Sequence, residues 1–163
     1  MRVAVAADHA GIPLNEIVIA ELKKLGHEVV DLGTHDPKVA DDYPDRASDL
    51  AAAVLNQGCE RGILICGSGV GVSVAANKLI GIRAAICHDT YSAHQGVEHD
   101  EMNVLVMGSR VIGEKLAEDI VKAYLGAVFT NEERHLRRLA KVKVLEQKLL
   151  KGRNLAFESA PGH

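Results

Sequence analysis

Five times along the chain a short apolar run is followed by a segment with helical periodicity. The runs are residues 2–6, 28–32, 62–65, 83–86 and 104–107, and the segments after them are 12–25, 43–57, 70–78, 90–98 and 112–124. Runs rich in Val, Ile and Leu with no clean polar alternation fit strands covered on both faces. Parallel strands need helical crossovers, and those crossovers shield both surfaces of the sheet. The pattern therefore predicts an α/β protein: a doubly wound, Rossmann-like, five-stranded parallel sheet in three layers. A sixth helical segment, 131–150, is strongly charged and carries Leu136, Leu139, Val142, Leu145 and Leu149 at helical spacing. Such a narrow apolar stripe suits a neighbour, a second subunit among them. Residues 1–150 read as one domain, and residues 151–163, which show no periodicity, read as a loose tail.

Charge and cysteine content narrow the partner. The net charge of −3, with acids and bases mixed along the chain, argues against a nucleic-acid or membrane-surface role and for a small-molecule partner. Cys59, Cys66 and Cys87 are odd in number and lack CxxC spacing, which suggests neither a disulfide framework nor a zinc site and fits a reducing cytoplasm. The N-terminus meets Asp8 and His9 within ten residues, unlike a signal peptide. No stretch approaches the roughly 18 consecutive apolar residues of a membrane span.

In doubly wound sheets ligands bind beyond the carboxyl ends of the strands. The residues expected there are Asp8-His9, Cys66-Gly67-Ser68-Gly69, Cys87-His88-Asp89 and Gly108-Ser109-Arg110, with the turn-rich loop 34–44 and its Tyr43 over the same edge. The most informative stretch is 62–78, GILICGSGVGVSVAANK. Gly67, Gly69 and Gly71 let the backbone pass close to a ligand, and free N–H groups at a helix start attract anionic oxygen. Cys66, at the strand's end, has its thiolate favoured by the same partial positive charge, and a thiolate abstracts protons. The competing reading is a tight turn beside an inert, buried cysteine. A P-loop is excluded because Gly71-Val72-Ser73 has no lysine, and the GxGxxG fingerprint fails at Val72 and follows the wrong strand.

Other candidates carry two readings each. His94, Glu98 and His99 form HxxxEH, one residue longer than the metal motif HxxEH, so no metal is expected. His99 suits acid/base work or a solvated helix end. Asp8 suits a ligand contact or a cap on the following helix. Asp41, Asp42 and Asp45 are read as turn residues leading into a helix rather than as a catalytic cluster. Arg134 and Arg138, four apart on one helix face, clamp a phosphate together with Arg110 or simply form a solvated, ion-paired face.

Taken together, these blocks resemble the ribose-5-phosphate isomerase B family, which includes the galactose-6-phosphate isomerase subunits. The resemblance runs from residue 2 to about residue 147: ADHAG at 7–11, DLGTHD at 31–36 with DYP at 42–44, ICGSGVG at 65–71, AANK at 75–78, GIRAA at 81–85, then NVLVMGSRVIG and RHLRR. It implies that Cys66 takes the proton from the carbon beside the carbonyl, giving an enediolate whose oxyanion is held by the turn Gly67, Ser68, Gly69, Val70 and Gly71. It further implies that Ser68 assists proton movement, that His99 donates a proton and opens the sugar ring, and that Asp8, His9 and Tyr43 line the substrate. Arg110, Arg134 and Arg138 are implied to bind the phosphate. No cofactor is implied, and homodimers or homotetramers with sites built from two subunits are. Many members read His-Asn where this chain has His99-Asp100, an acid for an amide at a substrate contact, which bears on the identity of the sugar. Alternatives are a tetrose or hexose phosphate isomerase using the same residues, a nucleotide-binding regulatory domain, and an idle subunit of a hetero-oligomer. Retention of Cys66 and all three arginines argues against the last.

Overall fold

The computed structural model of the protein describes residues 1–36, 38 and 41–150, with the side chain of Leu149 and the expected tail at 151–163 outside the described residues. The chain divides into two compact units, Met1–Thr130 and Asn131–His163. The first unit contains β1 (Arg2–Ala7), α1 (Ile12–Lys24), β2 (Glu28–Asp31), α2 (Tyr43–Asn56), β3 (Arg61–Cys66), α3 (Val70–Ala76), β4 (Ala84–Ile86), α4 (Thr90–Asp100), β5 (Val104–Gly108) and α5 (Glu114–Gly126). The described part of the second unit contains one helix, α6 (Glu133–Leu150).

All strand pairs are parallel and the sheet order is β2-β1-β3-β5-β4. The central strands are sealed on both faces: Val3 to Ala7, Ile63 to Ile65 and Val104 to Met107 are fully buried. Alternate residues point to opposite sides, as the two-residue period of a strand requires. Val3, Val5, Ile63, Ile65, Leu105 and Met107 meet Leu14, Val18 and Leu22 of α1, Val97 of α4 and Ile120 and Tyr124 of α5. Ala4, Ala6, Leu64, Cys66, Val104 and Val106 meet Leu50 of α2 and Val72 and Ala76 of α3. Right-handed crossovers account for this division. From β1 the chain turns toward β2 on one side, whereas from β3 it turns toward β4 on the other, so the helices that follow lie on opposite faces.

Two boundaries and one cap differ from the expected ones for local reasons. The helix expected over 70–78 ends at Ala76, where the next amides, Lys78 and Leu79, turn back to Ala75 O and Ala76 O only three residues behind, and the Asn77 side chain ties this end to β4. Its Nδ2 donates to Ser73 O and Ala84 O, and its Oδ1 accepts from Ala84 N. The helix expected from 112 starts at Glu114, since Val111 and Ile112 turn their N–H groups back to Gly108 O. Asp8 does not cap α1, whose N-cap is Gly11. Its carboxylate instead accepts from the N–H groups of Ala10 and Gly11 at 3.0 and 2.9 Å, closing the turn before the helix.

Candidate active site

The strand order sets where a ligand goes. The chain leaves β1 and β3 in opposite directions, which opens a crevice between their carboxyl ends. Two turns meet there. Asp8 N donates to Ile65 O at 3.2 Å. A Cβ placed on Gly11 would lie 2.5 Å from Ile65 O, so only glycine lets the first turn sit this close to the end of β3. From the other side Ser109 Oγ donates to Ala10 O at 2.6 Å, while Ser109 N and Arg110 N donate to Cys66 O and Gly67 O at 2.8 and 3.0 Å. The loops after β1, β3 and β5 thus form one connected floor.

Cys66 is the last residue of β3 and is 6% exposed. Its Sγ accepts the N–H of Gly69 at 3.0 Å, so the sulfur faces the amides of the turn. Gly69 adopts a left-handed conformation, φ +84°, that reverses the chain into α3 and that side chains resist. Ser68 is exposed, and its Oγ accepts Val70 N–H at 3.2 Å, leaving the hydroxyl hydrogen to point elsewhere. The next two amides of the first helical turn, Gly71 and Val72, have no intrahelical acceptor and remain as donors. The turn is braced from beneath, where a Cβ on Gly108 would come within 2.7 Å of Ser68 C and O. Gly108 N–H in turn donates to His88 Nε2 at 2.9 Å, which requires that nitrogen to be unprotonated.

Tyr43 opens α2 and is 43% exposed, with its ring 3.1 Å from where a Gly71 side chain would begin. Arg110 is exposed and its Cδ and Nε flank Gly67 at the same kind of contact, 3.5 Å. His9 is held on the opposite rim by Asp41. Asp8, His9, Tyr43, the turn Cys66–Gly71 and Arg110 therefore gather at one edge of the sheet, as the sequence led one to expect.

His99 and Asp100 do not join them within one chain. Helix α4 begins at the carboxyl edge, where Asp89 caps it by accepting Ser92 N–H, and runs back against the strands. Its 11 residues, at about 1.5 Å each, carry the chain some 16 Å away, to the edge where β5 starts. There His99 Nδ1 lies 2.8 Å from Gln95 Nε2. A cleft of about 450 Å3 beside α4 is lined by Thr90, Tyr91, His94, Gln95, His99 and Ala123 and includes none of the strand-edge residues. His94 and Glu98 pair with each other at 3.3 Å. Arg134 and Arg138 stand on α6 in the second unit, where Arg134 Nε donates to Glu132 at 2.8 Å.

The other two cysteines are ordinary core residues. Burial, with Asp89 nearby, pushes the Cys87 thiol up to about 11, and burial likewise raises Cys59. Two residues make contacts here that their sequence reading does not assign. His88 was only one of several strand-end residues, and Asp41 looked like a turn former. In Asp41, burial acts to raise the carboxyl pKa, but hydrogen bonds from Thr34 and from the His9 amide and ring outweigh it and hold the group below the usual range. Its signal was its place one residue before the DYP block, and only contacts across 32 positions of sequence show what it does.

The chain is similar to known proteins over most of its length. The family model for ribose/galactose isomerases matches residues 3–142. Ribose-5-phosphate isomerase B of Escherichia coli is 44% identical over 147 residues, covering 90% of this chain and 97% of that protein. D-erythrulose-4-phosphate isomerase of Pectobacterium atrosepticum is 42% identical over 130 residues, covering 79% and 85%. Among solved structures, Clostridium thermocellum ribose-5-phosphate isomerase B superposes with a TM-score of 0.88 at 44% identity, covering 91% of this chain and 99% of that one. A crevice floored by a cysteine and a glycine-rich turn, and relatives matched over nearly their whole length, lead to one conclusion: the chain belongs to the ribose/galactose isomerase family.

Proposed function

We propose that this sugar-phosphate isomerase interconverts D-ribose 5-phosphate and D-ribulose 5-phosphate through an enediolate, with Cys66 as the base. The observation that carries the reading is the Cys66 sulfur at the carboxyl edge of the sheet, 3.0 Å from the Gly69 amide and beside the unpaired donors of the α3 start. Aldose–ketose exchange moves one proton from C2 to C1 and shifts the carbonyl from C1 to C2. It needs a base near neutrality and a fixed home for the negative charge that develops on oxygen. In this reading Cys66 takes the C2 proton, the amides from Gly67 to Gly71 hold the oxyanion, and Ser68 relays a proton between the two oxygens. Asp8, His9 and Tyr43 contact the sugar, and Arg110, Arg134 and Arg138 supply cations for the phosphate. No cofactor is called for.

His99 and Asp100 enter this scheme only from a second copy of the chain, because in one copy they lie at the opposite edge of the sheet. A homodimer or homotetramer with composite sites follows from the reading. The Escherichia coli and Clostridium thermocellum relatives support ribose 5-phosphate as substrate. The Pectobacterium relative favours a second reading, a tetrose phosphate, on the same residues. Turnover of ribose 5-phosphate and D-erythrulose 4-phosphate by the purified chain, compared as kcat/KM, decides between them. The pentose should be preferred at least tenfold; the reverse preference transfers the assignment to the tetrose, and no turnover of either removes both.

A further inference from the structure

His9 stands on the β1 rim of the crevice, and it is not left to find its own orientation. One oxygen of Asp41 accepts both the His9 backbone N–H at 3.0 Å and the ring Nδ1 at 3.1 Å. The other oxygen accepts the Thr34 hydroxyl and lies 3.6 Å from Arg46 Nε. Arg46 is itself pinned, donating to Leu32 O at 3.1 Å and pairing with Asp49 at 3.1 Å. The Asp41 side chain is 13% exposed, whereas that of His9 is 42% exposed. A mostly buried acid thus grips a ring whose remaining surface faces solvent. A carboxylate only accepts hydrogen bonds, so the nitrogen it holds must carry the proton. The other nitrogen is then the one free to meet a ligand.

We propose that Asp41 is a positioning residue for His9, fixing the Nδ1–H tautomer and presenting the bare Nε2 as an acceptor for a hydroxyl of the sugar phosphate. This rests on the isomerase reading for its ligand, but the tautomer itself does not depend on turnover. The residues that make the grip come from three stretches: His9 after β1, Thr34 after β2, and Asp41 just before α2 with Arg46 in its first turn. The grip therefore joins the β1 rim of the crevice to the helix that carries Tyr43.

The test uses the full-length protein labelled with 15N-histidine, at pH 8, with the His9 signals assigned by their loss in His9→Gln. Long-range 1H–15N correlation should show His9 as the Nδ1–H tautomer, and Asp41→Ala should convert it to a mixture or to the Nε2–H form. Asp41→Ala should also raise KM about tenfold with kcat changed less than threefold, as expected when a group is misaimed rather than removed. Asp41→Asn keeps a carbonyl oxygen that can accept Nδ1–H and should recover most of the loss. An Nε2–H tautomer in the wild type, an unchanged tautomer in Asp41→Ala, or Asp41→Asn as impaired as Asp41→Ala would each overturn the proposal. If the wild type turned over no sugar phosphate yet held His9 as Nδ1–H, the isomerase reading would fail while the Asp41 grip stood.

Discussion

Replacing Cys66 separates its chemistry from its packing. In Cys66→Ala the proposed base is gone and the buried Gly69 N–H loses its acceptor. In Cys66→Ser an oxygen stands in for the sulfur as acceptor, so the turn keeps most of its bracing while the proton-abstracting group is far weaker. A general base contributes about 10²–10⁴-fold to rate, which is roughly 3–5.5 kcal/mol of barrier. An orphaned buried amide costs about 1–3 kcal/mol of stability, and in a chain of this size each kcal/mol lowers Tm by about 2–4 °C. Both variants should thus lose at least about 100-fold in kcat, whereas only the alanine variant should melt several degrees lower. KM should stay within a few-fold in each, because the lost interaction belongs to the transition state. Steady-state isomerisation of ribose 5-phosphate and thermal unfolding on the same preparations give both readouts. Either variant retaining kcat within tenfold of the wild type would refute Cys66 as the base.

Two further tests address the frame around the site. Glu21 is a 3% exposed acid on α1 with Lys24 at 3.2 Å and Lys122 of α5 at 3.4 Å. Burial acts to raise its pKa, but the two ammonium groups outweigh it and leave it lowered. A lowered carboxylate stabilises the fold above its unfolded value and loses that contribution as pH falls through the folded one. Glu21→Gln should therefore be less stable than wild type to urea at pH 7, and the gap should close as pH falls below about 4. A gap that persists at pH 3 contradicts the ionic account. Gly108→Ala places a methyl 2.7 Å from the backbone of Ser68, which cannot move aside as a side chain tip would. Overpacking of this kind costs about 1–3 kcal/mol, and kcat/KM should fall with it because the displaced turn carries the proposed oxyanion donors. Wild-type Tm and kcat/KM in this variant would show that the floor of the crevice is not rigid.

Much was legible in the order of the residues because it rests on local rules. Strand and helix alternation follows from periodicity, and the Cys66–Gly71 turn follows from glycines placed where a strand gives way to a helix. Even the shortfalls were local: Lys78 and Leu79 closed α3 early by turning back three residues, and Gly108 O captured the amides of Val111 and Ile112 before α5 could start. What periodicity does not contain is the lateral order of the strands. The order β2-β1-β3-β5-β4 depends on which crossover buries which helix face, a sum over contacts far apart in sequence. That order opened the crevice between β1 and β3 and brought Asp8, Cys66 and Arg110 to one edge. It also sent His99, on a helix running back across the sheet, to the other edge. Asp41 shows the same division on a small scale. Its residue type announced only a turn, and its hold on His9 exists because the chain folds 32 positions back upon itself.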